Sequence, residues 1–273
     1  MIITSHIGGR DYRFDLSKPV DISIPLDFHG QQPNLYGVEP ARASAFQGGE
    51  WVGDTRRGGS VNFESVALTP HCNGTHTECV GHLTDERFYV HRCLQQTLLP
   101  ATLVSLEPVP AADAPDTYYP ALQDTDLIFT KRQLDNIFTW MVPGFDKALV
   151  IRSLPNGPQK KTAAYTGAAP FPPFFSLQGM ETIAESEVQH LVVDFPSVDR
   201  LQDDGRLTNH RNFWNLPSEG HATAEEQRTT RSITELVYIP PTVEDGNYLL
   251  QLSVPPFLSD AAPASVKLFP PVQ

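Results

Sequence analysis

The sequence predicts a mixed α/β fold in which β-strands outnumber helices. Segments of strand length, either alternating or continuously apolar, recur along the chain, whereas only two segments have helical features. The chain has 273 residues and is 40% hydrophobic and 19% charged, so it can bury a sizeable core. Length alone fits one large domain or two small ones. Because strands and helices do not alternate regularly, we do not expect a doubly wound sheet.

Strands are predicted first, from two kinds of pattern. Residues 20–24 and 61–63 alternate between apolar and polar side chains, as half-buried strands do. Four short apolar runs are typical of buried strands: residues 102–106, 148–151, 191–193 and 248–254.

Two helices are predicted. In residues 131–141 the apolar side chains fall on one face, and Thr130 with Gln133 fits a capping box. A second helix is expected from Leu177 to about Gln189, with Ser176 as its N-cap.

Charge and cysteine content exclude several classes of partner. The formal net charge is −12, which argues against binding to nucleic acid or an anionic membrane because either needs a basic face. No run approaches the roughly 18 apolar residues that span a bilayer, and the amino terminus lacks the pattern of a signal peptide. Three cysteines without disulfide-framework spacing fit a reducing compartment. We therefore expect a cytoplasmic protein.

One short segment concentrates residues that bind metals. Three histidines and one carboxylate lie close together along the chain, at His71, His76, Glu78 and His82. The residues between them are small, polar or turn-forming. Imidazole and carboxylate groups are ligands that suit zinc or manganese. The segment therefore indicates a site for a divalent metal.

Local geometry supports this interpretation. Asn73 and Gly74 favour a tight turn, because glycine accepts positive φ at little cost, and such a turn can fold His71 back towards His76. His76 and Glu78 are two residues apart, so on an extended backbone they project to the same side.

Cysteine offers two competing interpretations. A structural zinc site could use Cys72, His76, Cys79 and His82, although this spacing fits no established zinc motif. A cysteine nucleophile, Cys72 or Cys79, could work beside His76, whereas the Gly-x-Ser-x-Gly elbow of serine hydrolases is absent from the sequence. Otherwise the cysteines are expected to be small packing residues.

Two distant residues could complete a metal site. His210 lies in a polar, loop-like stretch, where a solvated histidine is the simpler interpretation. Glu235 lies in the apolar segment 232–239, whose strand periodicity predicts one shared face for Glu235, Ile233, Val237 and Ile239. A carboxylate on such a face is costly to bury unless it is paired or coordinated. The alternatives are an exposed edge strand, or a salt bridge to Arg228 or Arg231.

These residues resemble the signature of the cyclase-like metal hydrolases, which include bacterial kynurenine formamidase and isatin hydrolase. That signature reads approximately His-x-Gly-Thr-His-x-Asp-x-Pro-x-His, and residues 74–78 with His82 match its core. The chain departs from it at three positions. Glu78 stands where the family has aspartate, Val80 replaces the proline, and Asn73 is an additional residue.

Three further segments are similar to this family in the same order along the chain. Residues 20–23 resemble its first strand, residues 193–199 followed by His210 resemble its later ligand region, and residues 233–236 resemble its carboxylate-bearing strand. The resemblance implies one domain over residues 1–273, a β-rich α/β fold of the swivelling β/β/α type. It also implies a homodimer or larger oligomer.

The resemblance implies a role for each candidate residue. His71, His76 and Glu78 would bind a first zinc or manganese ion. Glu78 would bridge to a second ion held by His210 and Glu235, so that each chain binds one or two ions. His82 would be the catalytic acid/base histidine.

The expected chemistry is hydrolysis of a small amide, aryl formamide or cyclic amide. A divalent metal would lower the pKa of water and supply hydroxide at neutral pH, while His82 would take a proton and return it to the leaving nitrogen. Asp85 is a candidate to orient His82 because it is close in sequence, and Phe28, Tyr36 and Arg152 are candidate pocket residues, although packing is the simpler role for the aromatics. The alternative function is a non-catalytic metal- or small-ligand-binding protein that retains the fold.

Overall fold

The computed structural model describes residues 1–166, 171–221 and 230–272. Its strands are β1 (Ile2–Ile7), β2 (Arg10–Asp15), β3 (Val20–Asp21), β4 (Asn34–Leu35), β5 (Arg42–Ala45), β6 (Gln47–Gly48), β7 (Trp51–Val52), β8 (Glu64–Ala67), β9 (His76–Cys79), β10 (Leu98–Leu106), β11 (Val109–Pro110), β12 (Leu127–Phe129), β13 (Ala148–Ser153), β14 (Ala164–Tyr165), β15 (Phe174–Phe175), β16 (His190–Val193), β17 (Ser232–Glu235), β18 (Gly246–Ser253), β19 (Ala261–Pro263), β20 (Ser265–Phe269) and β21 (Pro271–Val272). The α-helices are α1 (Val90–Cys93), α2 (Lys131–Trp140), α3 (Leu177–Glu185) and α4 (Thr208–Phe213), and short 3-10 helices cover Thr55–Arg57, Val80–His82, Ala111–Asp113 and Pro158–Thr162.

A nine-stranded mixed sheet forms the centre of the fold, in the order β19-β9-β17-β16-β13-β10-β18-β20-β3. The four strands β17, β16, β13 and β10 run parallel, and the strands on either side of them are antiparallel. The sheet curls: just beyond β3 the backbone forms a bridge from Ser23 to Val237, which follows β17. The expected mixed, β-rich α/β fold is confirmed.

Residues of the central strands alternate between two cores. On β13, Leu149 and Ile151 belong to the cluster that packs under α2, α3 and α4, whereas Ala148 and Val150 belong to the cluster inside the curl. This period of two is intrinsic to extended backbone. Both faces of the central strands are therefore buried, which explains their continuous apolar sequence.

The helix predictions are largely confirmed. α2 begins after Thr130, whose hydroxyl oxygen accepts the Gln133 backbone N–H, and the Gln133 side chain completes the capping box. α3 has Ser176 as its N-cap, but it ends at Glu185 and not near Gln189. It ends early because Ser186 adopts an extended backbone and its hydroxyl donates to the Ile183 carbonyl.

The strand predicted at residues 61–63 is wrong, whereas the other predicted strands coincide with or overlap observed ones. Phe63 hydrogen-bonds through its backbone to Gly53 and Phe46. Its ring stacks on that of Phe46, with the ring centroids 5.0 Å apart. These contacts hold residue 63 in a connection, and the strand begins one residue later, at β8. No helix within the described ranges is long and apolar enough to cross a membrane.

His190 provides a test of the central sheet by pH. This residue begins β16, is 5% exposed, and its Nδ1 lies 2.8 Å from the Ser232 hydroxyl oxygen. Burial lowers its pKa from 6.5 to about 4, so the unfolded chain binds a proton that the folded protein resists. The free energy of unfolding should therefore fall by about 3 kcal/mol from this residue as pH drops from 6.5 to 4. Urea titrations at pH 6.5 and pH 4 would measure the free energy of unfolding of wild type and His190→Gln. The decrease between these two pH values should be smaller in the variant, and equal decreases in the two proteins would contradict the lowered pKa of His190.

Candidate metal centre

Two adjacent strands position three of the candidate ligands. β9 and β17 pair antiparallel, with His76 opposite Glu235 and Glu78 opposite Ile233. Residues opposite each other in a ladder point to the same face, and so do residues two apart on one strand. His76, Glu78 and Glu235 therefore project together towards the side of the sheet that α4 covers.

The prediction that Glu235 shares one strand face with Ile233, Val237 and Ile239 is correct only in part. Glu235 shares its face with Ile233, but Val237 and Ile239 pack in the other core cluster. The reason is Leu236, whose φ of 55° interrupts the strand and reverses the alternation.

Glu235 is buried inside the sheet, which contradicts one alternative to a coordinated carboxylate, the exposed edge strand. β17 lies between β16 and β9, and Glu235 is 3% exposed, which excludes an edge strand in water. The Arg231 guanidinium donates to backbone carbonyls of Ala184 and Ser186. Arg228 lies outside the described residues. Glu235 instead accepts a hydrogen bond from the Val198 backbone N–H at 2.9 Å.

A turn brings His71 to the same cluster. The backbone N–H groups of Cys72 and Asn73 both donate to the Thr69 carbonyl, and the Asn73 side chain accepts from the Thr69 N–H at 2.6 Å. Gly74 follows with a φ of 153°, a conformation that favours glycine. The ring centroids of His71 and His76 then lie 5.4 Å apart. The additional residue Asn73 is thus accommodated within the turn.

His210 reaches the cluster from α4. It is 2% exposed, so a solvated loop histidine is wrong. Its Nδ1–H donates to Asp199 at 2.5 Å, and its Nε2 lies 2.7 Å from Glu78 Oε1. A carboxylate that accepts from one imidazole nitrogen fixes the tautomer and orientation of the ring, which is a usual arrangement around metal-binding histidines. Tyr118 holds Asp199 in turn through a hydroxyl at 2.6 Å.

The candidate ligand atoms among the described residues form three overlapping groups, one of which joins His71, His82 and Asp260. The other two groups share Glu78. One contains His71, His76 and Glu78, the other Glu78, His210 and Glu235, and within each group the ligand atoms lie within 4.8 Å of one another. Glu78 belongs to both groups, which is the geometry that a bridging carboxylate needs. Its longer side chain is accommodated, since its two oxygens face different histidines: Oε2 faces His71 and Oε1 faces His210.

No metal-ligand group among the described residues includes a cysteine, so the structural zinc site is not formed. Cys79 lies on the opposite face of β9 from His76 and Glu78 and packs with Cys93 and Ala262. Cys72 packs against Leu35 and Leu201 at the edge of the cleft. Burial raises the pKa of the Cys72 thiol, which disfavours the nucleophilic thiolate.

One buried atom shows that the cluster suits a cation. His76 Nδ1–H donates to the Gly74 carbonyl at 3.0 Å, so Nε2 carries the lone pair of the neutral ring. This Nε2 is buried, has no hydrogen-bond partner among the residues that the structure describes, and lies 3.6 Å from Glu235 Oε2. Buried nitrogens are nearly always paired. A divalent metal among these imidazoles and carboxylates would satisfy it, so the residues present fit such an ion.

The protonation states of the metal-free cluster agree with this. Burial lowers the pKa of His76 to about 4, so its ring is neutral at physiological pH. Burial alone would raise the pKa of Glu78, but His82 and His210 hold it well below its ordinary value. Burial and the Glu78 carboxylate raise the pKa of Glu235 to about 8. Metal binding therefore releases protons from the cluster and should tighten as pH rises.

His82 lies beside the cluster and lines a cleft. It ends the 3-10 helix that follows β9, its side chain is 27% exposed, and its Nε2 lies 4.0 Å from Glu78 Oε2. The cleft has a volume of about 520 Å³, and apolar side chains form one part of its wall: Leu35, Tyr36, Leu201 and Leu207. This size suits a small molecule.

Of the other candidate pocket residues, only Tyr36 lines the cleft. Arg152 has a structural role, since its guanidinium donates to the Ser105 hydroxyl, the Asp245 carboxylate and the carbonyls of Pro240 and Val243. Phe28 is not among the cleft residues.

Sequence reasoning missed Asp260. Its carboxylate lies 2.8 Å from His71 Nε2 and 3.5 Å from His82 Nδ1. Asp260 immediately precedes β19, which pairs with β9, so a strand pairing between distant segments brings it to the site. No local pattern in the sequence signals this. Among the described residues, Asp85, the candidate suggested by proximity, forms no hydrogen bond or ion pair with His82, whose ionic partners are Glu78 and Asp260.

Comparisons with known proteins identify the family and the fold of this chain. The model of the Cyclase family, described as "Putative cyclase", matches residues 14–200, so the chain belongs to this family. No curated protein matches the chain. Solved structures share its fold, which confirms the expected cyclase-like architecture.

Three of these structures illustrate the similarity. A protein described as a predicted metal-dependent hydrolase from Bacillus stearothermophilus is 15% identical, with a TM-score of 0.56 over 92% of this chain and 98% of its own. Isatin hydrolase A from Labrenzia aggregata, bound to benzyl benzoate, is 12% identical, with a TM-score of 0.59 over 92% and 93%. An isatin hydrolase bound to the product analogue thioisatinate is 10% identical, with a TM-score of 0.58 over 93% of each chain.

Glu235→Gln tests whether the second ligand group binds its own ion. The amide keeps the shape of Glu235 but removes the charge, so we expect the variant to lose one ion per chain while the ion at His71, His76 and Glu78 remains. Elemental analysis of purified wild type and variant would measure this. Equal metal content in the two proteins would contradict a second ion held by Glu235.

Proposed function

We propose that this chain is a hydrolase that uses zinc or manganese to cleave a small amide, aryl formamide or cyclic amide. The observation that carries the proposal is the convergence of two ligand groups on Glu78, with the partly exposed His82 beside them lining a cleft. The names of the structural neighbours, which include isatin hydrolases, support the same class of reaction.

Five residues of this chain are proposed to bind metal ions, and one is proposed to transfer a proton. His71, His76 and Glu78 would hold one ion, and Glu78, His210 and Glu235 a second. A bound divalent ion would supply Lewis-acid chemistry, polarising a carbonyl and lowering the pKa of water towards neutral pH. His82 takes a proton from the attacking water as a general base and returns it to the leaving nitrogen as a general acid.

The lining of the cleft suits an uncharged aromatic or cyclic substrate. The apolar side chains named above offer a surface for a ring, and no lysine or arginine is found among the described residues that line the cleft. The carboxylates of Asp203 and Asp204 lie at the same cleft and disfavour an anionic substrate.

We further propose that the protein acts in the cytoplasm as a homo-oligomer. Analytical ultracentrifugation would test the oligomeric state.

Hydrolysis assays test the proposal directly. Metal-loaded protein should hydrolyse at least one member of a panel of aryl formamides, isatins and small lactams. A chelator should abolish the activity, and Cys72→Ala should leave it intact, because no ligand group among the described residues contains a cysteine. Stoichiometric metal without hydrolysis of any panel member would favour the non-catalytic binding protein instead.

A further inference from the structure

The imidazoles of His71 and His82 lie between two carboxylates. Their rings stack with centroids 4.2 Å apart and planes 30° apart. On the inner side, Glu78 Oε2 lies 2.8 Å from His71 Nδ1 and 4.0 Å from His82 Nε2. On the outer side, Asp260 Oδ2 lies 2.8 Å from His71 Nε2 and 3.5 Å from His82 Nδ1. Each ring therefore presents one nitrogen to Glu78 and the other to Asp260.

This arrangement bears on which nitrogen of each ring carries the proton once a metal is bound. An ionised carboxylate only accepts hydrogen bonds, so without metal both Glu78 and Asp260 favour an N–H on the nitrogen of His71 that faces them. A divalent ion held at Glu78 would take the place of the proton on that side, and Asp260 then keeps the N–H on His71 Nε2 and on His82 Nδ1. In the neutral rings the nitrogens that face Glu78 then carry lone pairs. A metal ligand needs such a lone pair, and so does a general base. A single carboxylate thus prepares both rings for their different roles.

The backbone holds Asp260 firmly in this position. Its carbonyl accepts the Cys79 N–H at 3.0 Å, at the end of the strand that carries His76 and Glu78. Its side chain is 33% exposed, and the Ser259 hydroxyl donates to its other carboxylate oxygen at 3.3 Å. The segment that bears Asp260 is therefore fixed relative to the ligands by strand pairing.

We infer that Asp260 is a positioning residue that orients both His71 as a metal ligand and His82 as the proton-transfer group. Both parts of this role rest on the metal site of the proposed function, and only the second part also rests on its hydrolytic activity. The first part predicts an effect on metal affinity that needs no substrate.

The test compares Asp260→Asn with Asp260→Glu and with Asp85→Asn, which examines the competing residue suggested by sequence proximity. Zinc affinity is measured by competition with a chromophoric chelator. Replacement of an outer carboxylate partner of a ligating histidine typically weakens metal binding by about 10–100-fold, and we expect this for Asp260→Asn. Asp260→Glu should recover part of the affinity, and Asp85→Asn should match wild type.

A second readout separates positioning from a general structural effect. Histidine ¹⁵N spectra of the zinc-loaded proteins report which ring nitrogen carries the proton. The wild type should show a protonated Nε2 on His71 and a protonated Nδ1 on His82, and Asp260→Asn should shift both patterns while circular dichroism stays unchanged.

The outcomes are distinguishable. A wild-type protein that binds no zinc overturns both the proposed function and this inference. Zinc-binding wild type with an Asp260→Asn variant of equal affinity and identical ¹⁵N patterns overturns the inference alone. Effects of Asp85→Asn that equal those of Asp260→Asn would also overturn it.

Discussion

His76→Ala should remove the bound metal almost completely. The wild-type chain is expected to contain zinc or manganese in stoichiometric amounts, and His76 contributes a buried nitrogen that has no hydrogen-bond partner in the described part of the chain. Its replacement deletes a direct ligand, so the loss of affinity should be at least as large as the roughly 10–100-fold that follows loss of an outer partner. Elemental analysis after dialysis measures the metal that remains.

A matched control separates loss of a ligand from loss of a histidine. His6→Ala removes an exposed histidine on β1 whose side chain is 70% accessible, and it should keep the full metal content. Circular dichroism should show the same fold for both variants. If the wild type stays metal-free even after incubation with zinc and manganese, the proposed mechanism fails and only the family membership remains.

His82→Ala should abolish most of the hydrolytic activity while the metal stays bound. His82 is not needed in either of the two ligand groups that share Glu78, so its loss leaves those ligands intact. General acid/base catalysis by a positioned side chain contributes about 10²–10⁴-fold, and we expect kcat to fall by that factor. The assay uses whichever substrate the wild type hydrolyses best, with metal content measured on the same samples.

Two further measurements make this result specific. Glu86→Ala, a change at an exposed residue of the following segment, should retain wild-type kcat and metal content. A metal-loaded His82→Ala variant with full activity would exclude His82 from proton transfer. A variant that lost its metal would instead place His82 among the ligands, together with Asp260 and His71.

Much of the fold follows from local sequence patterns. The apolar runs at β10, β13, β16 and β18 predict buried strands because a strand covered on both faces has continuous apolar sequence. The start of α2 follows from its capping box. In contrast, the end of α3 and the backbone around Phe63 depend on contacts that local periodicity does not encode.

Some features of the candidate metal centre also follow from local sequence, whereas others do not. Glycine in the turn at Gly74 and the two-residue spacing of His76 and Glu78 are properties of the local chain, and they are readable from the sequence. The reversal of side-chain alternation at Leu236 depends on a single backbone angle, which strand periodicity does not reveal.

The sequence by itself determined that this chain carries three histidines and a glutamate in a segment that can bind metal, within a β-rich α/β fold. Tertiary structure decided which distant groups meet them. His210, Glu235 and Asp260 reach Glu78 and His71 only through helix docking and strand pairing. The physical reason is that their separation along the chain is bridged by the curled sheet, whose register depends on all of its strands together.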